Sequence, residues 1–192
     1  MPDAVLVIDM VRGFLEEGYP LYCGEGARRI IPSMQRLLRS ELARGSRIFF
    51  ICDNHAPDDL EFAMFPRHCV AGSPEAEVIP ELARFRGVII PKRRYSGFFD
   101  TDLATRLKRL RPGKLIVGGV CTDICVLHTV ADARSRDYMV EVPTDCVASF
   151  NQKGHQFALE HMEKTLGARL VSSKAQKVLP AKFKTPESVL SG

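Results

Sequence analysis

The fold is decided by the stretch Lys114-Leu-Ile-Val-Gly-Gly-Val-Cys-Thr-Asp-Ile-Cys-Val-Leu-His-Thr129. Its aliphatic run, residues 115–117, is typical of a buried parallel strand, and the two glycines that follow end that strand. Thr122 or Asp123 is then the predicted N-cap of a helix that runs to about Arg136. This order of strand, tight turn and helix predicts one unit of a parallel α/β sheet.

Cys125 is the residue of this stretch with the most reactive side chain. It is predicted to lie in the first turn of the helix, directly beyond the end of the strand. Free backbone N–H groups and the positive end of the helix dipole favour a thiolate at such a position. Cys125 is therefore a candidate nucleophile. The alternative is a small buried core residue, because free cysteines are often buried for packing alone.

Length and composition indicate one globular domain. The chain has 192 residues, of which 45% are hydrophobic and 26% charged, which is enough for a sizeable core. Six cysteines without a signal-peptide pattern favour reduced thiols and a cytoplasmic location. No apolar run reaches the roughly 20 residues of a membrane helix. The net charge of +4 comes without a nucleic-acid-binding motif, so we expect neither a nucleic-acid nor a membrane partner.

Strands and helices are predicted to alternate along the chain. Aliphatic runs predict the strands, and apolar residues at helical spacing predict the helices. This alternation predicts an α/β fold, a three-layer α-β-α sandwich around a six-stranded, mostly parallel, Rossmann-like sheet. The predicted strands are residues 4–8, 47–52, 87–90, 115–117, 138–142 and 168–171, and the remaining helices are residues 26–44, 75–85, 102–110 and 152–166.

The single domain is predicted to span residues 1–173. Residues 174–192 are polar, contain two prolines and are predicted to form a C-terminal extension. Within the domain, the irregular stretch 53–73 is longer than most connections between elements. Such a length marks either a functional loop or a wrongly assigned element.

Polar residues follow the ends of four predicted strands. Asp9, Asp53 and Lys92 follow the first three strands, and Cys125 follows the fourth. Ligands of open α/β sheets bind beyond the carboxyl ends of the strands, so we expect all four side chains at one edge. Any one of them could be an ordinary cap or a solvated residue. Together, a carboxylate, an ammonium and a thiol are the groups that covalent acyl transfer requires.

The long loop adds a second set of polar side chains. Asp53, His55, Glu61 and His68 lie close together in the sequence. Their oxygen and nitrogen donors suit one divalent transition metal such as Zn²⁺, Fe²⁺ or Mn²⁺, and alternate residues at a strand end point to the same side. The spacing leaves an alternative open, a polar loop whose histidines hydrogen-bond to the backbone.

Several motifs resemble those of the isochorismatase-like cysteine hydrolases, and within that superfamily those of the nicotinamidases. The resemblance covers about residues 4–172. Its most specific parts are Gly119-Val-Cys-Thr-Asp-Ile-Cys125 and the Pro-x-His motif in Phe65-Pro-Arg-His-Cys-Val70; the other parts are Ile8-Asp9, Asp53-x-His55 and Lys92-x-x-Tyr95-Ser-Gly-Phe98.

The resemblance implies a reaction and a set of functional residues. The reaction is hydrolysis of nicotinamide to nicotinate and ammonia through a thioester, with one bound divalent metal, zinc before iron or manganese, that positions the pyridine ring. The family also implies a cis peptide between Val120 and Cys121. By position, the catalytic triad is Asp9, Lys92 and Cys125, the oxyanion hole is the backbone N–H of Cys121 and Cys125, the metal ligands are Asp53, His55, His68 and, as in some members only, Glu61, and the ring pocket includes Phe14, Phe65 and Tyr95.

Departures from the family pattern concern the substrate more than the chemistry. Val11 and Gly13 replace the usual Gln and Asp, Asn54 replaces a Trp, and Phe65 replaces another Trp. Because these positions line or support the acyl pocket, another small amide or carbamoyl compound remains an alternative substrate. A catalytically idle binding protein is the third interpretation. By analogy with the superfamily we expect a homo-oligomer, and we expect His128 and His155 to be surface or packing residues.

Overall fold

The computed structural model describes residues 1–175 of the chain. Its strands are β1 (Ala4–Ile8), β2 (Arg47–Asp53), β3 (Val88–Lys92), β4 (Leu115–Val120), β5 (Val140–Pro143), β6 (Val147–Ala148) and β7 (Arg169–Val171). They form one sheet in the order β3-β2-β1-β4-β5-β7, in which β6 also pairs with β4. Every pairing is parallel.

The predicted α/β fold is confirmed, with seven strands instead of six. The additional strand, β6, has two residues and carries no periodic pattern that a sequence could show. Of the predicted C-terminal extension, residues 174–192, the part from residue 176 onward lies outside the described residues.

Helices flank the sheet, and two predicted helices are shorter than expected. The segment 26–44 divides in two because Pro32, in the first turn of the second helix, lacks the N–H that would continue the first one. In the segment 75–85, only one turn before Arg84 is α-helical. No helix within residues 1–175 is long and apolar enough to cross a membrane. The helices are α1 (Arg12–Leu15), α2 (Gly24–Arg28), α3 (Ile31–Ala43), α4 (Pro80–Ala83), α5 (Leu103–Leu110), α6 (Leu127–Arg134) and α7 (Gln152–Lys164).

Strand β1 separates two hydrophobic cores. Val5 and Val7 pack with residues of α1 to α4, whereas Leu6 and Ile8 pack with residues of α5 to α7. Every residue of β1 is buried, because helices cover both faces of the sheet. This explains its uninterrupted aliphatic sequence, since a central parallel strand has no polar side.

Gly119 of β4 lies directly against the backbone of β1. This glycine has a φ of +125°, and a Cβ at its position would lie 1.9 Å from the carbonyl oxygen of Ile8. The neighbouring atom belongs to the backbone and cannot move aside. A glycine at this point therefore permits the carboxyl ends of β1 and β4 to lie side by side.

We expect Gly119→Ala to destabilise the protein by about 3 kcal/mol or more, because the new methyl group overlaps the backbone of β1 and the φ value disfavours any side chain. Urea unfolding measures the loss. The matched control is Gly26→Ala in α2, where a Cβ meets open space and should stabilise the helix by up to about 1 kcal/mol. An unchanged urea midpoint for Gly119→Ala would contradict the close approach.

Candidate active site

The side chains at the carboxyl ends of the strands meet around Lys92. The Lys92 Nζ lies 2.8 Å from Asp9 Oδ2 and 3.5 Å from Cys125 Sγ, and it also contacts Asp53 Oδ1. Lys92 is 1% exposed, and the other three residues are buried as well. The structure therefore brings together the predicted carboxylate, ammonium and thiol in one place.

The backbone fixes Asp9 at this position. Asp9 follows β1 in a left-handed conformation with a φ of 49°, which aspartate tolerates better than most residues. Its Oδ1 accepts a hydrogen bond of 2.8 Å from the backbone N–H of Asp53. The other carboxylate oxygen is consequently turned towards Lys92.

Burial and mutual charge set the protonation states of these groups. Burial and the nearby Asp53 carboxylate raise the pKa of Asp9 to about 6, against the opposing effect of Lys92. For Asp53, burial acts to raise the pKa, but the Lys92 ammonium and hydrogen bonds from His55 and His68 together outweigh it and hold the pKa well below its usual range. Burial acts to lower the pKa of Lys92, but the two carboxylates raise it well above its usual value. Lys92 and Asp53 are thus charged, and Asp9 is the group that exchanges a proton near neutral pH.

Cys125 lies on a π-helical turn, Thr122–Val126, that joins β4 to α6. Burial raises the pKa of its thiol well above the usual value, although Lys92 acts in the opposite direction. Burial therefore opposes the thiolate that the free N–H groups at the start of this turn would favour. A thiol in this position needs a base to remove its proton during attack.

The predicted N-cap of the helix, Thr122 or Asp123, is wrong. Cys121 occupies the N-cap position, and no side chain caps the turn. Thr122 Oγ1 pairs instead with His155 Nδ1 at 2.8 Å, and Ser149 Oγ donates to the Asp123 carboxylate at 2.5 Å. These contacts hold the turn against α7 and against the segment that leads into it. The peptide before Cys121 is cis, as the family resemblance implies.

A second group of side chains shares Asp53 with Lys92. The Asp53 Oδ2 lies 3.6 Å from His55 Nε2 and 3.8 Å from His68 Nε2. Donor atoms of these three residues all lie within 4.8 Å of one another, and His55 Nε2 is buried without a hydrogen-bond partner. An unpartnered buried nitrogen facing a carboxylate fits a bound metal cation. Glu61 is buried beside this group but is not one of its three members.

One pocket opens above the two groups. Its polar residues include Asp9, Asp53 and Cys125, and Cys121 contributes to the same wall. The predicted aromatics Phe14, Phe65 and Tyr95 line it, whereas Leu21, Val120, Ile124 and Phe150 also line it and were not predicted.

Of the missed residues, Leu21 and Phe150 belong to no motif, because they lie in loops that the fold alone brings to the pocket. Val120 and Ile124 lie within the Gly119–Cys125 motif, where the sequence does not show which side chains face the pocket. Of the departures from the family pattern, only Phe65 lines the pocket. Val11 is buried in the core and forms a bridge with Val78, and Gly13 packs against Cys69. These differences therefore lie in the scaffold around the pocket.

His128 and His155, two histidines outside the motifs, do not line this pocket. The exposed side chain of His128 contacts the carbonyl oxygen of Ile124 and the ring of Tyr95. His155 is half-buried and holds Thr122. Both placements agree with surface or packing residues.

Comparison with known proteins defines the relatives of this chain. A family model described as the isochorismatase domain matches residues 3–175. An uncharacterised isochorismatase family protein, PncA, of Bacillus subtilis is 33% identical over 88% of this chain and 99% of its own. The pyrazinamidase/nicotinamidase of Streptococcus mutans superposes with a TM-score of 0.84 at 35% identity, over 88% of this chain and 99% of its own. The pyrazinamidase of Pyrococcus horikoshii, in complex with zinc, gives a TM-score of 0.82 at 32% identity, over 90% and 99%.

The fold and these relatives define a hydrolase that acts on amide bonds, built on a parallel α/β sheet. More particularly, the chain belongs to the isochorismatase family. The resemblance to this superfamily and its nicotinamidase branch is confirmed, and a small-molecule amide is the class of substrate on which such relatives act.

We expect Lys92→Met to lose about 3–5 kcal/mol of stability at pH 8, because two buried carboxylates lose their counter-charge. The loss should shrink at pH 5.5, since without Lys92 the pKa of the carboxylates rises and protonation then removes the uncompensated charge. Urea unfolding at both pH values measures it. Lys108→Met on the exposed face of α5 is the control and should change stability by less than about 0.5 kcal/mol. Equal stability of the two variants at pH 8 would contradict the account.

Proposed function

We propose that this protein is a cysteine-dependent nicotinamidase, which converts nicotinamide and water to nicotinate and ammonia. The observation that carries the proposal is the position of Cys125 Sγ, 3.5 Å from the Lys92 ammonium that also holds Asp9, on the wall of a pocket shared with a metal-competent group. The similarity to nicotinamidase and pyrazinamidase structures supports it.

In the proposed reaction, Asp9 is the base for the Cys125 thiol. Its carboxylate and the Sγ lie within 4.8 Å, and its pKa of about 6 keeps it ionised at neutral pH but able to take a proton. As Sγ forms a bond to the carboxamide carbon, the thiol proton passes to Asp9. The backbone N–H groups of Cys121 and Cys125 are the proposed donors to the oxyanion that forms.

Asp9 then returns the proton to the amide nitrogen as the carbon–nitrogen bond breaks, and ammonia leaves. The acyl group remains on Cys125 as a thioester. A water molecule attacks the thioester and loses a proton to Asp9, which passes that proton to the departing Cys125 sulfur. The thiol is thus restored, and the nicotinic acid that leaves ionises to nicotinate. Throughout, the Lys92 ammonium offsets the negative charge that moves between Asp9 and the sulfur.

The pocket suits a flat, largely apolar ring with one polar edge. Phe14, Phe65 and Tyr95 line the same pocket as the polar floor. Asp53, His55 and His68 would hold one divalent metal, which we propose to be zinc, and Glu61, which lines the same pocket, is a candidate fourth ligand. The metal would act as a Lewis acid for a ring nitrogen and so position the substrate.

Another small amide or carbamoyl compound remains the second candidate function. A carbamoyl substrate has no ring nitrogen for a metal to bind, so the metal content of the protein distinguishes the two functions. A preparation that contains no transition metal and gains no activity from added zinc, iron or manganese would support this second function.

We expect the wild-type protein to release ammonia from nicotinamide, and also from pyrazinamide, whose ring and carboxamide have the same shape. Cys125→Ala should reduce ammonia release by about 10³-fold or more, because no other group forms the acyl intermediate. A coupled ammonia assay measures both. The control is Cys146→Ala, a buried cysteine outside the pocket that should retain most of the activity.

The outcomes separate two kinds of failure. If the wild type cleaves other small amides but not nicotinamide, the substrate assignment is wrong while the chemistry stands. If Cys125→Ala stays active, the cysteine mechanism is wrong. A protein that cleaves no member of an amide panel would be a binding protein with this fold.

A further inference from the structure

We infer that Asp59, which is outside the predicted ligand set, is the positioning residue that fixes the tautomer and orientation of His55 for metal binding, and that Arg94 holds Asp59 in place. This inference rests on the metal site of the proposed function and deepens it. It assigns a role to two residues that no motif singled out.

Asp59 is a buried carboxylate that contacts both His55 and Glu61. It follows β2 in the loop that carries His55, and its side chain is 3% exposed. Its Oδ2 lies 3.2 Å from His55 Nδ1, and its Oδ1 accepts a hydrogen bond of 3.0 Å from the backbone N–H of Glu61. Each oxygen therefore contacts a different residue that the proposal assigns to the metal.

The contact with His55 determines which ring nitrogen is free. An ionised carboxylate only accepts hydrogen bonds, so the Nδ1 of His55 must carry the proton. In the neutral ring the lone pair is then on Nε2, which is buried, has no hydrogen-bond partner and faces Asp53 Oδ2 at 3.6 Å. A metal ligand needs this arrangement, because only the unprotonated nitrogen can bind the ion.

His68 is arranged in the same way by a different acceptor. Its Nδ1 lies 2.7 Å from the carbonyl oxygen of Pro66, and a carbonyl likewise only accepts. Its Nε2 lies 3.8 Å from the same oxygen of Asp53. Both histidines thus have an acceptor on Nδ1 and direct Nε2 to one point, which is hard to explain as ordinary loop packing.

Arg94 connects this carboxylate to the strand that carries Lys92. It lies two residues beyond Lys92, and its Nη1 donates to Asp59 Oδ1 at 2.9 Å and to Oδ2 at 3.2 Å. The same nitrogen lies 4.0 Å from Glu61 Oε2. The ion pair holds the Asp59 carboxylate in place, and it joins the loop after β2 to the loop after β3.

A purely structural role for Asp59 makes a different prediction. Its Oδ1 caps the short turn Leu60–Ala63 through the Glu61 N–H, and this cap alone would stabilise the loop. Loss of the cap would lower stability without a selective change in metal affinity. The His55 contact, made by the other oxygen, is not needed for capping.

The test is the zinc affinity of the full chain, measured by competition with a chromophoric chelator. Asp59→Asn keeps the shape and an oxygen that can cap Glu61, but its amide can donate to His55 Nδ1 and so permit the wrong tautomer. We expect zinc to bind 10- to 100-fold more weakly than to the wild type. Asp58→Asn, at the exposed neighbouring position, is the matched control and should bind zinc as the wild type does.

Two further measurements sharpen the result. Long-range ¹H–¹⁵N spectra of the zinc-free protein should show His55 with the proton on Nδ1 in the wild type and a changed tautomer in Asp59→Asn. Arg94→Gln should weaken zinc binding by a smaller factor, about 3- to 10-fold, because it leaves the carboxylate in place but removes its partner. If Asp59→Asn fails to fold, Arg94→Gln decides.

The outcomes distinguish this inference from the proposed function. If the wild type binds zinc and Asp59→Asn binds it equally tightly, the role of Asp59 is overturned and the metal site stands. If Asp59→Asn does not fold, the same conclusion follows from equal affinity in Arg94→Gln. A wild type that binds no zinc overturns the metal site and this inference together. If Asp58→Asn also binds zinc more weakly, the loss of affinity comes from the total charge of the loop, which would contradict a specific role of Asp59.

Discussion

A single buried ammonium group organises this protein. Lys92 is almost inaccessible to solvent, and its Nζ contacts the carboxylates of Asp9 and Asp53 and the sulfur of Cys125. A lone ammonium would be too costly to bury, so both carboxylates must lie within contact distance. That requirement fixes the relative positions of three strand ends, and the glycine at the β1–β4 approach permits the fourth to join them.

Asp53 connects the two halves of the site because its two oxygens have different partners. One oxygen contacts Lys92, and the other faces the Nε2 atoms of His55 and His68. The group proposed to carry out the chemistry and the group proposed to hold the substrate ring therefore share one side chain. The Arg94–Asp59 ion pair adds a second connection between the same two loops. A change in the metal-binding side chains should consequently affect Lys92, and a change at Lys92 should affect the metal-binding side chains.

Much of this arrangement could be predicted from the sequence, because strand ends are read from aliphatic runs. Asp9, Asp53 and Lys92 each end such a run, and the topology of a parallel sheet then places them at one edge. The nature of the turn at Cys125 could not be predicted in this way. A π-helical turn has the same composition as the first turn of an α-helix, and burial, which decides the thiol pKa, depends on the whole fold.

The pocket walls were the least predictable part, since Leu21 and Phe150 come from loops without any pattern.

Our central claim is that Cys125, with Asp9 and Lys92, carries the acyl group during amide hydrolysis. The most direct measurement is mass spectrometry of wild-type protein quenched in acid during turnover of nicotinamide, followed by peptide mapping. The account predicts a nicotinoyl group on the peptide that contains Cys125. A nicotinoyl group on another residue, or full turnover with Cys125 never acylated, would contradict it.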